Sequence, residues 1–230
     1  MSKNSIEKIT CPQCGKEAEF TVWQSVNTDL DPKMRAAVKD LSIFRFTCPK
    51  CGYSALADYD FLYHDMRNKV MIQYAASDEE AEQAKAIFSG DGLPKELRGL
   101  FGGMLYDGYI LRIVRSQNEL REKLEILDAG LDDRLIELYK TVLLPKVFEK
   151  FPRAKKLDMY FLQMDGKNMI QILTDGGGSA TVDIDPDLYE ILRKEFEPIL
   201  PDIRKDESVI DRDYAFRCMA RGARSGRFDK

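Results

Sequence analysis

The chain has 230 residues, 44% of them hydrophobic and 32% charged, with a formal net charge of −4. That length fits one large domain or two modest ones, and the composition excludes wholesale disorder and a fibrous protein. The apolar runs fall far short of the roughly 18 residues a membrane helix needs, and Met1 to Thr10 has no apolar leader region, so a cytoplasmic protein with no membrane contact is expected.

Near the start stand two matching motifs, Cys11-Pro12-Gln13-Cys14-Gly15 and Cys48-Pro49-Lys50-Cys51-Gly52. Proline fixes φ at the start of each turn and glycine can take positive φ after the second cysteine, so each motif aims two sulfurs and nearby N–H groups at one point. Two such pairs in a chain expected to stay in a reducing compartment predict one structural Zn2+ per chain, held by Cys11, Cys14, Cys48 and Cys51. Four thiolates leave no coordination position for water, so hydrolysis at the metal is not expected. Cys218 stands apart and reads as a small residue on a helix face, because the chain has one histidine and none to spare as its activator.

The spacer between the motifs reads as strand, helix, strand. Ala18, Phe20 and Val22 alternate with Glu19, Thr21 and Trp23, Asp31-Pro32 opens a helix with Met34, Val38 and Leu41 on one side, and Ile43 to Phe46 is a short strand. After the second motif, Leu56 to His64 and Val70 to Ala75 predict a hairpin turned at residues 65–69. The expected whole is a three- or four-stranded zinc ribbon with an inserted helix.

The order CPxCG, a strand containing Ser25-Val26-Asn27, an Asp-Pro helix, CPxCG and Leu62-Tyr63-His64-Asp65 resembles the bacterial CpXC-domain family over residues 6 to about 75. The resemblance implies zinc binding by Cys11, Cys14, Cys48 and Cys51. It implies no particular activity.

His64 and Asp65 invite a reading as general base and orienting carboxylate, or as a spare metal ligand. Neighbouring strand residues point to opposite faces, however, so the expectation is a packed His64 and an Asp65 that starts the turn.

Residues 77–230 are expected to form a separate α+β domain after a ribbon domain of residues 1–76. Ser77-Asp78-Glu79-Glu80 and Ser116-Gln117-Asn118-Glu119 are capping boxes. Between them the glycine-rich stretch 90–108 lacks a phosphate-loop pattern and reads as a connection. Tyr109 to Val114 is either a strand or a helix extension. Leu120, Leu124 and Leu127 mark one helix. A second starts at Asp132-Asp133, turns Leu135, Leu138, Tyr139 and Val142 inward, and kinks or ends near Pro145. A meander follows over 157–164, 168–174 and 180–184, with Asp165-Gly166 as its first turn. Asp185-Pro186 then caps a helix carrying Leu188, Ile191, Leu192 and Phe196. The basic tail 217–230 has five Lys or Arg against Asp229.

Residues 1–75 hold 10 basic and 9 acidic side chains and the remainder 25 and 30, so neither half carries the positive footprint that drives phosphate binding. The favoured expectation is a cytoplasmic zinc-stabilised binding or adaptor module whose partner is another protein. The alternatives are a nucleic-acid-associated ribbon aided by the basic tail, or an enzyme with a site in the second domain or between the two. No paired carboxylate, triad or cofactor fingerprint favours the last.

Overall fold

The computed structural model describes residues 2–90, 106–200 and 207–224. The chain is mixed α+β and divides into two compact units, Met1–Arg121 and Glu122–Lys230. By its contacts the first unit runs past residues 76/77 to Arg121 and takes in a strand beyond them.

That unit holds a five-stranded sheet in the order β1-β2-β5-β6-β7, made of β1 (Lys3–Thr10), β2 (Glu17–Asn27), β5 (Phe61–Asp65), β6 (Val70–Tyr74) and β7 (Ile110–Val114). β1 pairs antiparallel with β2 across the first cysteine turn, and β2 runs parallel to β5 over Ser25–Asn27. β6 pairs antiparallel with β5 and parallel with β7, so Tyr109 to Val114 resolves as strand. Ile72, Ile113 and Val114 are buried there, and burying both faces of a parallel neighbour is how such pairs are stabilised. β3 (Arg45–Thr47) and β4 (Ser54–Leu56) form a separate hairpin around the second cysteine turn. The strand expected over Leu56 to His64 is thus interrupted at 57–60, where Ala57 N donates to Phe44 O and Tyr59 Oη to Ile43 O.

The inserted helix is short, α1 (Met34–Lys39), and begins later than Asp31-Pro32; Lys33 occupies the cap position without a side-chain bond. Asp31 instead closes a turn, its carbonyl accepting from Met34 N. α2 (Asp78–Phe88) starts as expected, with Ser77 Oγ accepting from Glu80 N. Residues 91–105 of the glycine-rich stretch lie outside the described residues.

The second unit packs α4 (Asp133–Lys150), α5 (Pro186–Phe196) and α6 (Arg212–Arg224) on a meander of β8 (Leu157–Met164), β9 (Lys167–Thr174) and β10 (Ser179–Asp183). α3 (Gln117–Asp128) contains the point at which the two units are divided. Asp165 and Gly166 both have positive φ, as a two-residue hairpin loop requires. α4 runs through Pro145 to Lys150, and Val142 and Ile191 are exposed rather than inward. Cys218 is buried in this core beside Tyr214 and Ala215.

α3 and α4 bury more than their leucines. Glu122, Lys123, Glu125, Asp133, Glu137 and Lys140 are all nearly inaccessible; Lys123 pairs with Asp133 and donates to the Ile210 carbonyl, while Glu122, Glu125 and Lys140 reach the edge strand β8. Phe161 N donates to Glu122 Oε1 at 2.6 Å and Gln163 N to Glu125 Oε2 at 3.0 Å. The Met159 carbonyl accepts from Lys140 and the Leu157 carbonyl from Arg212, each at 3.1 Å. Two acids on N–H groups and two bases on carbonyls close this edge to any further strand, which is one way proteins protect exposed sheet edges.

Candidate metal centre

The two cysteine turns are built alike. Cys11 N donates to Lys16 O and Gly15 N to Cys11 O; Cys48 N donates to Tyr53 O and Gly52 N to Cys48 O, all between 2.8 and 3.0 Å. Gly15 and Gly52 sit at φ +68 and +75, a conformation costly for residues with a Cβ. The repeat of Cys-Pro-x-Cys-Gly therefore writes the same backbone turn twice, once between β1 and β2 and once between β3 and β4.

The two turns face each other. The four Sγ atoms of Cys11, Cys14, Cys48 and Cys51 lie within 4.8 Å of one another, with Cys11 to Cys51 at 3.7 Å and Cys14 to Cys48 at 3.6 Å. A tetrahedral ion with metal–sulfur bonds of about 2.3 Å has sulfur–sulfur edges of roughly 3.8 Å, so the donor set fits such a group. These four cysteines could hold a metal ion. Cys11 and Cys48 are buried, Cys14 is half-buried and Cys51 is exposed, which makes Cys51 the side from which an ion or chelator would approach.

The electrostatics point the same way. The Cys51 backbone N–H and then that of Lys50 pull the Cys48 thiol down to about 6, against the effect of burial. Cys51 is pushed up to about 12: a hydrogen bond from Tyr53 N–H lowers it, but partial desolvation on its inward side and the hydrogen bonds with Cys14, Cys48 and Cys11 outweigh that. One thiolate forms readily while a neighbour resists, because like charges crowd one small volume; a divalent cation at the centre relieves that repulsion.

Around the sulfurs is an apolar collar of Phe20 and Phe46, with Val22, Tyr53 and Tyr59 at its margin. Phe20 meets Phe46 edge to face at 6.1 Å, and burial pushes the Tyr59 hydroxyl up to about 12. The collar excludes water from the inner thiols, which strengthens charge interactions among them.

His64 and Asp65 are not brought together as a pair, nor to the cysteines. Asp65 is buried and accepts from Asn68 N at 2.9 Å, Asn68 Nδ2 at 2.8 Å and Arg35 at 3.0 Å. Burial alone would raise its carboxyl, but the Asn68 and Arg35 donors hold it below the usual value. It starts the β5–β6 turn and ties that turn to α1. His64, on the opposite face, has Nε2 3.2 Å from Tyr109 Oη. Arg35 carries no signal in the sequence for a contact with Asp65, thirty positions away. The Asp132 side chain accepts from Arg134 N as a helix cap, and Asp133 pairs with Lys123 at 3.0 Å. Of the basic tail, residues 225–230 lie outside the described residues.

The chain is thus defined by two hairpin turns that gather four thiols, joined to an α+β unit. The family model for the CpXC protein matches residues 9–140, more than half of the chain, and the chain belongs to the CpXC family. The match reaches well past residue 75, where the resemblance in sequence ends, and takes in β7. No curated protein and no solved structure matches the chain. Among the described residues no helix is long and apolar enough to cross a membrane.

Proposed function

We propose that Cys11, Cys14, Cys48 and Cys51 hold one structural Zn2+, and that the protein is a cytoplasmic binding or adaptor module whose partner is another protein. The observation that carries the metal reading is the cluster of four sulfurs brought together by two like turns. Soft thiolates in tetrahedral array suit zinc over hard, oxygen-seeking cations. When bound, zinc supplies a cross-link between two hairpins. Four protein ligands leave no position for a reacting water, so its work is to hold a surface in shape.

The binding role follows from what that cross-link supports. Phe20 on β2 already meets Phe46 on β3, and a bound ion would add a second, stiffer link between the two hairpins. A rigid, approximately neutral surface is suited to a protein partner, since a phosphate backbone calls for concentrated positive charge.

The test is cross-linking in the native cell with the wild-type chain and with Cys48→Ser. A partner captured by the wild type and lost with the variant, at equal expression, supports the reading. An identical set of captured proteins for both chains contradicts it.

A further inference from the structure

The two edges of the three-stranded sheet are treated in opposite ways. In an antiparallel ladder, alternate residues turn their N–H and C=O away from the neighbouring strand. On β8 the outward residues are Leu157, Met159, Phe161 and Gln163, and one main-chain group of each is taken, by Arg212, Lys140, Glu122 and Glu125 in turn. On β10, Ile184 N donates to Asn168 O and Thr174 N to Gly178 O. With the register of the pair, this assigns 180, 182 and 184 to the β9 ladder and leaves Ser179, Thr181 and Asp183 facing outward. All three are exposed, and among the described residues no group hydrogen-bonds to their main chain.

The surroundings of that edge specify an occupant. Ala180, Val182 and Ile184 lean onto the core, so an added strand would place alternate side chains over the same apolar layer. At the Asp183 end opens a cleft of about 480 Å3 walled by Leu131, Ile184, Pro186 and Tyr189. The Tyr189 hydroxyl accepts from Asp132 N at 3.3 Å, which fixes that wall. Residues 171–190 include five acids, Asp175, Asp183, Asp185, Asp187 and Glu190, and no base. Lys167 stands 3.9 Å from Asp183 and Arg193 pairs with Glu190, leaving the rim acidic on balance. A second copy of the same acidic edge would be repelled.

We propose that β10 is a strand-addition site for an extended basic segment of a partner protein. The segment's main chain pairs with Thr181 and its outward neighbours, an apolar side chain enters the cleft, and Lys or Arg residues face Asp183 and the acids that follow. Main-chain bonds supply affinity and alternate side chains supply selectivity in this mode of recognition. The proposal deepens the binding-module reading and rests on it.

The probe is a labelled heptapeptide alternating Lys or Arg with Val and ending in Leu, titrated into the full chain by fluorescence anisotropy, with a Glu-substituted peptide as comparison. Thr181→Pro removes the outward N–H while sparing the β9 ladder, and proline is tolerated at such edge positions. Asp183→Lys reverses the nearest charge. The basic peptide is expected to bind with slowed exchange of the Thr181 amide, to lose at least about ten-fold in affinity with Thr181→Pro and several-fold with Asp183→Lys. Equal binding by Thr181→Pro, no preference over the acidic peptide, or no binding overturns the proposal. So does a Thr181 amide already protected without peptide, whether in a dimer or until residues 225–230 are deleted. Should the peptide fail while partner capture in cells persists, the edge is rejected and the binding-module reading stands.

Discussion

Glu122 and Lys140 meet inside the second unit, Nζ to Oε1 at 3.0 Å with both side chains almost fully buried, and each also closes the edge of β8. Glu122 takes the Phe161 N–H and Lys140 gives to the Met159 carbonyl. Burial alone would lower Lys140, but Glu122 and Glu137 on either side hold it above the ordinary lysine range. Lys140 is therefore held as the ammonium in the fold, its charge met by the Met159 carbonyl as well as by the two carboxylates.

Removing Glu122 should be costly because Lys140 is left with Glu137 alone to oppose its buried charge and the Phe161 N–H loses its acceptor. Glu122→Leu is expected to destabilise the chain by about 3 to 5 kcal/mol, and the double variant Glu122→Leu, Lys140→Met by less than the two single changes added. Urea unfolding measures both. A loss below about 1 kcal/mol for Glu122→Leu would mean that the edge contacts contribute little.

His64 is the only histidine in the chain, so its titration can be followed without ambiguity. Burial holds its pKa below the usual 6.5, with Asp29 and Asp65 opposing. The folded chain thus binds the proton less readily than the unfolded chain. The stability this gives is present above about pH 6.5 and is lost as pH falls through the lower folded value. NMR titration of the imidazole Cε1–H should give a midpoint below 6.5, and His64→Gln should flatten the stability profile in that interval. A midpoint above 6.5 contradicts the burial account.

What could be read from the sequence was local. Cys-Pro-x-Cys-Gly names its own turn through the chemistry of proline and glycine, and Asp165-Gly166, Ser77 and Asp185-Pro186 likewise fixed a hairpin and two helix starts. Asp31-Pro32 had the same signature, yet its residues went into a turn because the helix begins at Met34. β7 joins the first sheet through a parallel pairing of Ile110 with Val70, forty residues earlier, and such a distant partner leaves no periodic trace near Ile110. The charged residues of α3 and α4 were the largest omission. Periodicity marks Leu120 and Leu124 as apolar, but it does not reveal that Glu122, Glu125 and Lys140 will be buried against the unpaired groups of β8.

The central claim is the zinc site, and metal analysis of the purified chain tests it most directly. Expressed without added metal, the wild type should carry close to one zinc per chain. Cys48→Ser should lose most of it, with a change in emission from Trp23, the single tryptophan, which lies on β2 beyond the first turn. Because metal affinity in such sites is folding energy on the order of 10 kcal/mol, the variant's first unit should also unfold at lower temperature. Full zinc in Cys48→Ser, or a wild-type chain that holds none after gentle purification and takes none up, would contradict the account.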